Sequence, residues 1–542
     1  MTTMTTGQAI VKSLLGHGVD TLFGIPGAHM YDFNDATCEH KDELKFIVTR
    51  HEQGAGYMAY GYAKSTGKVG VYTVVPGPGM LNSSAALCTA LGATTPVLCI
   101  TGNIMSHLIG KGRGQLHELP DQLATMRGFT KWAERINLPN EAPGIVAEAF
   151  RQSQSGRPGP VAIETPWDVF GMQGEVDLDV PMHLPPPPAP DPDAIARIAD
   201  IIKLAKNPLI TVGAGALHAG EEVLELAKLL QAPVTAHRSG KGIVSEESPY
   251  GMSFAAAYEY WKNTDVLIGI GSRLELQHFR WRWFPTGIKT VRIDIDPTEM
   301  ARLPSDEGVV TDAASGTRAL VELLSKQINS RTSREEEFNG LKARAKEAIQ
   351  AVQPQMGYLN VIRDVLPRDG FFVEEISQVG FTARFGFPVY APRQYVTCGY
   401  QDNLGFGFNT ALGVKVANPD KAVVAVCGDG GFMFGVQELA TAVHHGINLV
   451  TIIFNNQAFG NVRRDQINIY GGRLIGADLT NPDFVKLAES FGAIGYRVTS
   501  PAELKPILQR ALQDDAPVVI DVTIETGSEV SPWTFINPEP PE

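Results

Sequence analysis

Three α/β domains in series, each a doubly wound parallel sheet, are what this chain of 542 residues predicts. Three observations carry that reading. Short apolar, β-branched runs alternate with helical patterns along the chain, and continuous apolar strands imply parallel sheets covered on both faces. The length suits about three domains of ordinary size. Two breaks in composition divide the chain. Residues 184–192 read LPPPPAPDP. Proline at this density continues neither a helix nor a central strand, so the stretch is a stiff linker. Residues 330–355 are charged and open as SRTSREEEF, a surface helix leading into the last domain. The domains are accordingly placed at 1–182, 192–330 and 356–542.

The elements follow in order. Residues 1–20 form an amphipathic helix, without the basic start and long apolar run of a signal peptide. Strands of the first domain are expected at 46–50, 70–75 and 97–101. Those of the second fall at 209–213, 266–271 and 290–296. Those of the third fall at 423–428 and 449–456, with one helix between them at 434–446. No stretch approaches the roughly 18 apolar residues of a membrane span. Composition is that of a globular protein, with 44% hydrophobic and 19% charged residues. A net charge of −13 with no basic stripe excludes a nucleic-acid binder. The five cysteines are scattered, with no CxxC pair, and read as buried reduced thiols of a cytoplasmic protein.

The most specific signal is Gly428-Asp429-Gly430-Gly431 followed by Asn455-Asn456. Each cluster ends a predicted strand. Both therefore emerge at the carboxyl edge of one parallel sheet, where such sheets bind ligands. Asp429 offers an anionic oxygen and Asn456 an amide oxygen, a donor set suited to Mg²⁺ shared with phosphate oxygens. Gly430 and Gly431 let the backbone approach an anion and leave N–H groups free.

Here the chain resembles the thiamine-diphosphate enzymes, which carry a GDG…NN signature of this length. The resemblance implies Asp429, Asn456 and the carbonyl of Ala458 as Mg²⁺ ligands. It implies that Gly428, Gly430 and Gly431 cradle the diphosphate. Leu404, in 399–407, takes the place of the bulky residue that wedges between the cofactor rings. Ser377 and Gln378, in a looser match, help hold the diphosphate. In the first domain, 50–59 matches the family's RHE stretch, and 74–82 (VVPGPGMLN) follows as it does in relatives. The resemblance implies Glu52 as the carboxyl group that favours the imino tautomer of the cofactor's pyrimidine, with Pro26 and Pro76 as further cofactor contacts. An apolar setting raises such a carboxyl group's pKa. Because the two halves lie on different domains, the resemblance also implies a homodimer or homotetramer with sites between subunits.

The branch that comprises acetolactate synthase and benzaldehyde lyase is the nearest in pattern. His29, in 23–33, matches a histidine that handles protons in the lyase. His117 stands where relatives commonly have glutamine. Both are expected to reach one cofactor, since histidine suits proton transfer near neutral pH. His51 is a further candidate. Asp465 stands where acetolactate synthases carry a tryptophan, and Gln277 replaces an arginine that grips the acceptor's carboxylate. Losing a guanidinium removes a bidentate clamp. The reading is a carboligase or lyase acting beside a carbonyl, on 2-oxo acids, acyloins or aldehydes. Acetolactate-type condensation of pyruvate and simple 2-oxo-acid decarboxylation are its alternatives. In the middle domain, 213–220 is an imperfect dinucleotide fingerprint. FAD there is possible but not favoured. The C-terminal residues Trp533 and Phe535 either cover the site or pack loosely on the surface.

Overall fold

The structure, a computed structural model, describes residues 1–540. Three six-stranded sheets follow one another along the chain. The first runs, edge to edge, Lys45–Val48, Thr21–Gly24, Gly70–Val74, Val97–Asn103, Val161–Pro166 and Trp132–Arg135, with every pair parallel. The third runs Tyr395–Val396, Phe371–Glu374, Val423–Gly428, Val450–Asn455, Val518–Thr523 and Ile494–Val498, again all parallel. These two sheets have the same strand order. The middle sheet runs Gly251–Met252, Val234–Ala236, Pro208–Val212, Val266–Ile270, Lys289–Asp294 and Glu307–Val310. Its order is that of the dinucleotide-binding fold, reversing between its third and fourth strands. A small antiparallel pair, Thr2–Thr5 with Gln173–Val176, ties the start of the chain to the end of the first unit.

The predicted strands all form, each within two residues of its expected ends. Gly70–Val74 and Val423–Cys427 are buried on both faces, whereas the edge strand Lys45–Val48 buries only Ile47. Three predicted elements differ. The helix expected over 1–20 covers only Thr6–Gly16, after the strand Thr2–Thr5. The single helix expected at 434–446 is a short turn of 3₁₀ helix, Val436–Glu438, followed by the helix Leu439–His445. Gly435, at φ −129°, lies outside helical geometry and ends the run before it. The charged helix forms at Glu335–Ile349 but joins the middle domain. Its buried Phe338 packs edge-on against Tyr250 and Tyr260 at 5.9 and 6.0 Å. The proline-rich linker has no helix or strand until Pro192, where Asp191 caps the next helix.

The first and third domains meet through equivalent helices, Glu52–Thr66 and Gly407–Ala417. Their crossing is close enough to demand glycine on both sides. A Cβ on Gly61 would sit 2.1 Å from the Thr410 carbonyl, and one on Gly413 would sit 1.9 Å from the Met58 carbonyl. This contact sets the distance between the two carboxyl edges that carry the predicted site residues.

Candidate active site

The third domain's edge is an oxygen-rich cradle. Asp429, 2% exposed, follows the strand Val423–Gly428. One carboxylate oxygen accepts the Gly430 N–H at 2.8 Å, and the other accepts Asn481 Nδ2 at 2.7 Å. Burial pushes its pKa up, against these hydrogen bonds and the nearby N–H groups of Gln457 and Ala458. Asn456 follows the adjacent strand Val450–Asn455. Its Oδ1 accepts the Ala458 N–H at 3.1 Å, while its Nδ2 donates to Glu529 at 2.6 Å. Asp429, Asn456 and Ala458 thus stand together. Among the described residues no cluster of three or more His, Cys, Asp or Glu could hold a metal alone.

Glycines and a few polar side chains line the cradle. Gly428 packs beside Ser377, whose hydroxyl accepts the Gly380 N–H at 3.1 Å and caps the helix Gln378–Gly386. Gln378 is buried and its Oε1 has no partner. Beside it, a Cβ on Gly460 would lie 2.8 Å from Asn456 Nδ2. Behind the cradle lies Glu375. Its Oε1 accepts the Gly405 N–H at 2.6 Å, its Oε2 has no partner, and burial pushes its pKa up to about 7. A Cβ on Gly431 would lie 2.6 Å from that carboxyl carbon. Glu375 therefore backs both the Gly428–Gly431 turn and the segment that carries half-buried Leu404.

The first domain's edge carries protonic groups instead. Glu52 begins the helix Glu52–Thr66, and its carboxylate accepts Asn82 Nδ2 at 3.0 Å. His51 caps that helix through Nδ1, which accepts the Gln53 N–H at 3.2 Å, so it is occupied with the backbone. The turn at Pro76–Gly79 connects the group. A Cβ on Gly79 would be 3.4 Å from Glu52 Oε1, and one on Gly77 would be 2.5 Å from the His117 carbonyl. His117 and His29 have rings 5.2 Å apart, and His29 stacks edge-on against Trp167 at 4.7 Å. Both histidines have positive φ, 70° and 65°, and each has a buried Nδ1 with no partner. Burial, then the charge of His117, hold the pKa of His29 below its ordinary value. Pro76 is buried in the turn, whereas Pro26 is exposed. A buried chain fixes the turn from behind. Gln122 accepts the Gly77 N–H at 2.8 Å and donates to Glu164 at 2.9 Å, and Glu164 accepts Arg135 at 2.6 Å.

The structure thus brings His29, His117 and Glu52 to one turn, and the metal-type oxygens to another. No hydrogen bond joins the two groups among the described residues. Gln277 lies in neither group. It is fully buried in the middle domain, with Nε2 on Thr211 at 2.8 Å, so it faces no pocket. The tail is not loose. Trp533 donates to Asn461 at 2.6 Å and packs on Phe381 at 5.1 Å. Sequence reasoning met Glu375 only as the start of the loosely matched segment 375–378, and missed Glu438, Asn481 and Glu529. Of these only Glu438 left a signal, an acid within an apolar helical stretch. It is fully buried and accepts the N–H groups of Arg50 at 3.1 Å and His51 at 2.9 Å, anchoring the stretch before Glu52.

The comparisons with known proteins agree with this division. The N-terminal TPP binding domain of the thiamine pyrophosphate enzymes matches residues 4–125, their central domain 195–320, and their C-terminal TPP binding domain 375–522. A probable acetolactate synthase large subunit of Methanococcus aeolicus is 33% identical over 97% of this chain and 93% of its own. The acetolactate synthase large subunit of Haemophilus influenzae is 31% identical over 97% and 95%. A probable 2-ketoarginine decarboxylase of Pseudomonas aeruginosa is 32% identical over 96% and 94%. With all three domain models and full-length relatives in agreement, this chain belongs to the thiamine pyrophosphate enzymes, in their acetolactate synthase branch.

Proposed function

We propose that this enzyme makes or breaks a carbon–carbon bond beside a carbonyl, with Mg²⁺ and thiamine diphosphate, on 2-oxo acids, acyloins or aldehydes. The observation that carries the reading is the His29–His117 pair at the Pro76–Gly79 turn, rings 5.2 Å apart. When bound, thiamine diphosphate supplies a nucleophilic carbon and an electron sink beside the substrate carbonyl. Asp429, Asn456 and the Ala458 carbonyl would hold the metal, and Ser377, Gln378 and the glycines at 428, 430 and 431 would hold the diphosphate. Leu404 would support the bent cofactor. Glu52 would hold a proton against the pyrimidine ring. His29, kept neutral by burial, takes or returns a proton at the substrate oxygen, with His117 beside it.

The two half-sites leave different domains, which supports a homodimer or homotetramer in which a second copy completes each site. The five free cysteines, three of them buried, support a cytoplasmic enzyme. Among the described residues no helix is long and apolar enough to cross a membrane.

The test is product analysis. Purified protein is given 2-oxo acids singly and with aldehydes, with and without thiamine diphosphate and Mg²⁺. Cofactor-dependent acyloin formation is the expected result. Aldehyde as the sole product, at every acceptor concentration, would instead assign a decarboxylase. A second reading concerns the middle domain. A crevice of about 1550 Å³ opens beside Gly213, Gly215, Arg238, Arg273 and Asp294. It lies at the point where the strand order reverses, which favours a nucleotide ligand such as FAD. A flavin absorption band in the purified protein is the check.

A further inference from the structure

The C-terminal segment returns to the metal-type cradle and fastens on one residue, Asn456. After the strand Val518–Thr523, Ile524 donates its N–H to the Asn455 carbonyl at 2.9 Å. The Thr526 hydroxyl donates to the Asn456 carbonyl at 2.7 Å. Asn456 Nδ2 donates to Glu529 Oε2 at 2.6 Å. The segment is held on its far side as well. Val530 donates to the Gln353 carbonyl at 2.9 Å, and Gln355 Nε2 donates to the Val530 carbonyl at 2.7 Å. Trp533 then docks on Asn461. Residues 524–533 therefore wrap Asn456 with contacts on its backbone and on its side chain.

An asparagine amide can present either its oxygen or its NH₂ in a given direction, and only the oxygen binds a cation. Glu529 turns an acceptor oxygen toward Asn456, so its partner there is the NH₂, and a glutamine of the same length can present the same oxygen. A carboxylate placed on one side of Asn456 thus commits Oδ1 to the other. Outer partners of this kind orient metal ligands and are worth about 10–100-fold in metal affinity. We propose that Glu529 is a positioning residue for Asn456, and that the docked tail sets how tightly the enzyme retains its metal. The proposal rests on the reading of Asn456 as a metal ligand.

Reach and charge can be separated at this residue. Glu529→Gln keeps the length and an acceptor oxygen but loses the charge. Glu529→Asp keeps the charge but falls short by one methylene. Mn²⁺ binding is titrated by electron paramagnetic resonance on apoenzyme in saturating thiamine diphosphate. Thermal melting of each apoprotein verifies folding. A positioning role predicts that Glu529→Asp and Glu529→Ala bind Mn²⁺ at least ~10-fold more weakly, with Glu529→Gln close to wild type. The reverse order, with Asp close to wild type and Gln weakened, overturns the proposal in favour of a charge effect or a direct ligand. Equal affinity in all three variants overturns it too. If Ala does not fold, the Gln and Asp pair decides. Wild-type protein that binds no Mn²⁺ in the presence of thiamine diphosphate overturns the functional reading itself.

Discussion

The first and third domains set two different groups of side chains on one frame. Their sheets have the same strand order, and their facing helices cross at Gly61 and Gly413. In each, the strand in the third position of the sheet ends in a glycine-rich turn. The first domain's turn, Pro76–Gly79, meets Glu52, His29 and His117. The third domain's turn, Gly428–Gly431, meets Asp429, Asn456, Ser377 and Gln378. In the proposed reading one edge would hold and move protons, and the other would hold oxygens around a cation. The difference lies in a few side chains on a common backbone, so fold alone does not tell which half does what.

Exchanging losses between the two edges should break this comparison if it is wrong. Asp429→Ala should weaken metal-dependent thiamine diphosphate binding by at least ~100-fold, more than an outer partner is worth, and activity should vanish with it. Glu52→Gln should cost ~10²–10⁴-fold in turnover with little change in cofactor binding. Titration by tryptophan fluorescence, alongside steady-state kinetics, reads both. If Glu52→Gln lost the cofactor and Asp429→Ala kept it, the assignment of the two edges would be reversed.

A smaller effect sharpens the protonic side. Burial and the charge of His117 both hold the pKa of His29 below its ordinary value. Neutral His29 therefore persists to lower pH than an exposed histidine, whose pKa is about 6.5. If its neutral form acts as base, the acid limb of kcat/KM falls below that pH. His117→Gln removes one of the two causes, so the limb should move upward. His29→Ala should cost about 10²-fold and remove the limb. A limb that stays put in His117→Gln would separate the two histidines functionally.

What the sequence made legible was what is local. The strands 423–428 and 449–456 read from apolar runs, and the glycines, Asp429 and Asn456 read from their places at strand ends. The histidine pair was legible only as two separate residues aligned to one pocket. What could not be read depends on partners far along the chain. Glu438 reaches Arg50 across 388 residues, and Glu529 reaches Asn456 across 73. No periodicity marks such a contact. The two-residue edge strand Tyr395–Val396 is too short to show a pattern, and Gln277 looked available because burial inside the helical turn Leu276–Trp281 leaves no mark in sequence.

The mildest prediction concerns the contact that joins the two edges within one chain. Glu438 belongs to the third domain, nine residues beyond Asp429, yet its carboxylate receives the backbone N–H groups of Arg50 and His51 and the Thr441 hydroxyl. It thereby holds the stretch that places Glu52. Gly54 leaves room for it, since a Cβ there would lie 2.6 Å from Glu438 Oε1. Glu438→Ala leaves two part-buried N–H donors without their acceptor, at a cost of about 1 kcal/mol, and the loss falls on the start of one helix rather than on the whole core. Hydrogen exchange should therefore rise in a peptide spanning residues 46–60 and stay unchanged in one spanning 423–432. Turnover should fall less than in Glu52→Gln, because the carboxyl group remains but is less well placed. Glu438→Gln, which still offers one acceptor oxygen, should recover most of both. Uniform exchange across both peptides would mean that Glu438 supports the core generally and does not position Glu52.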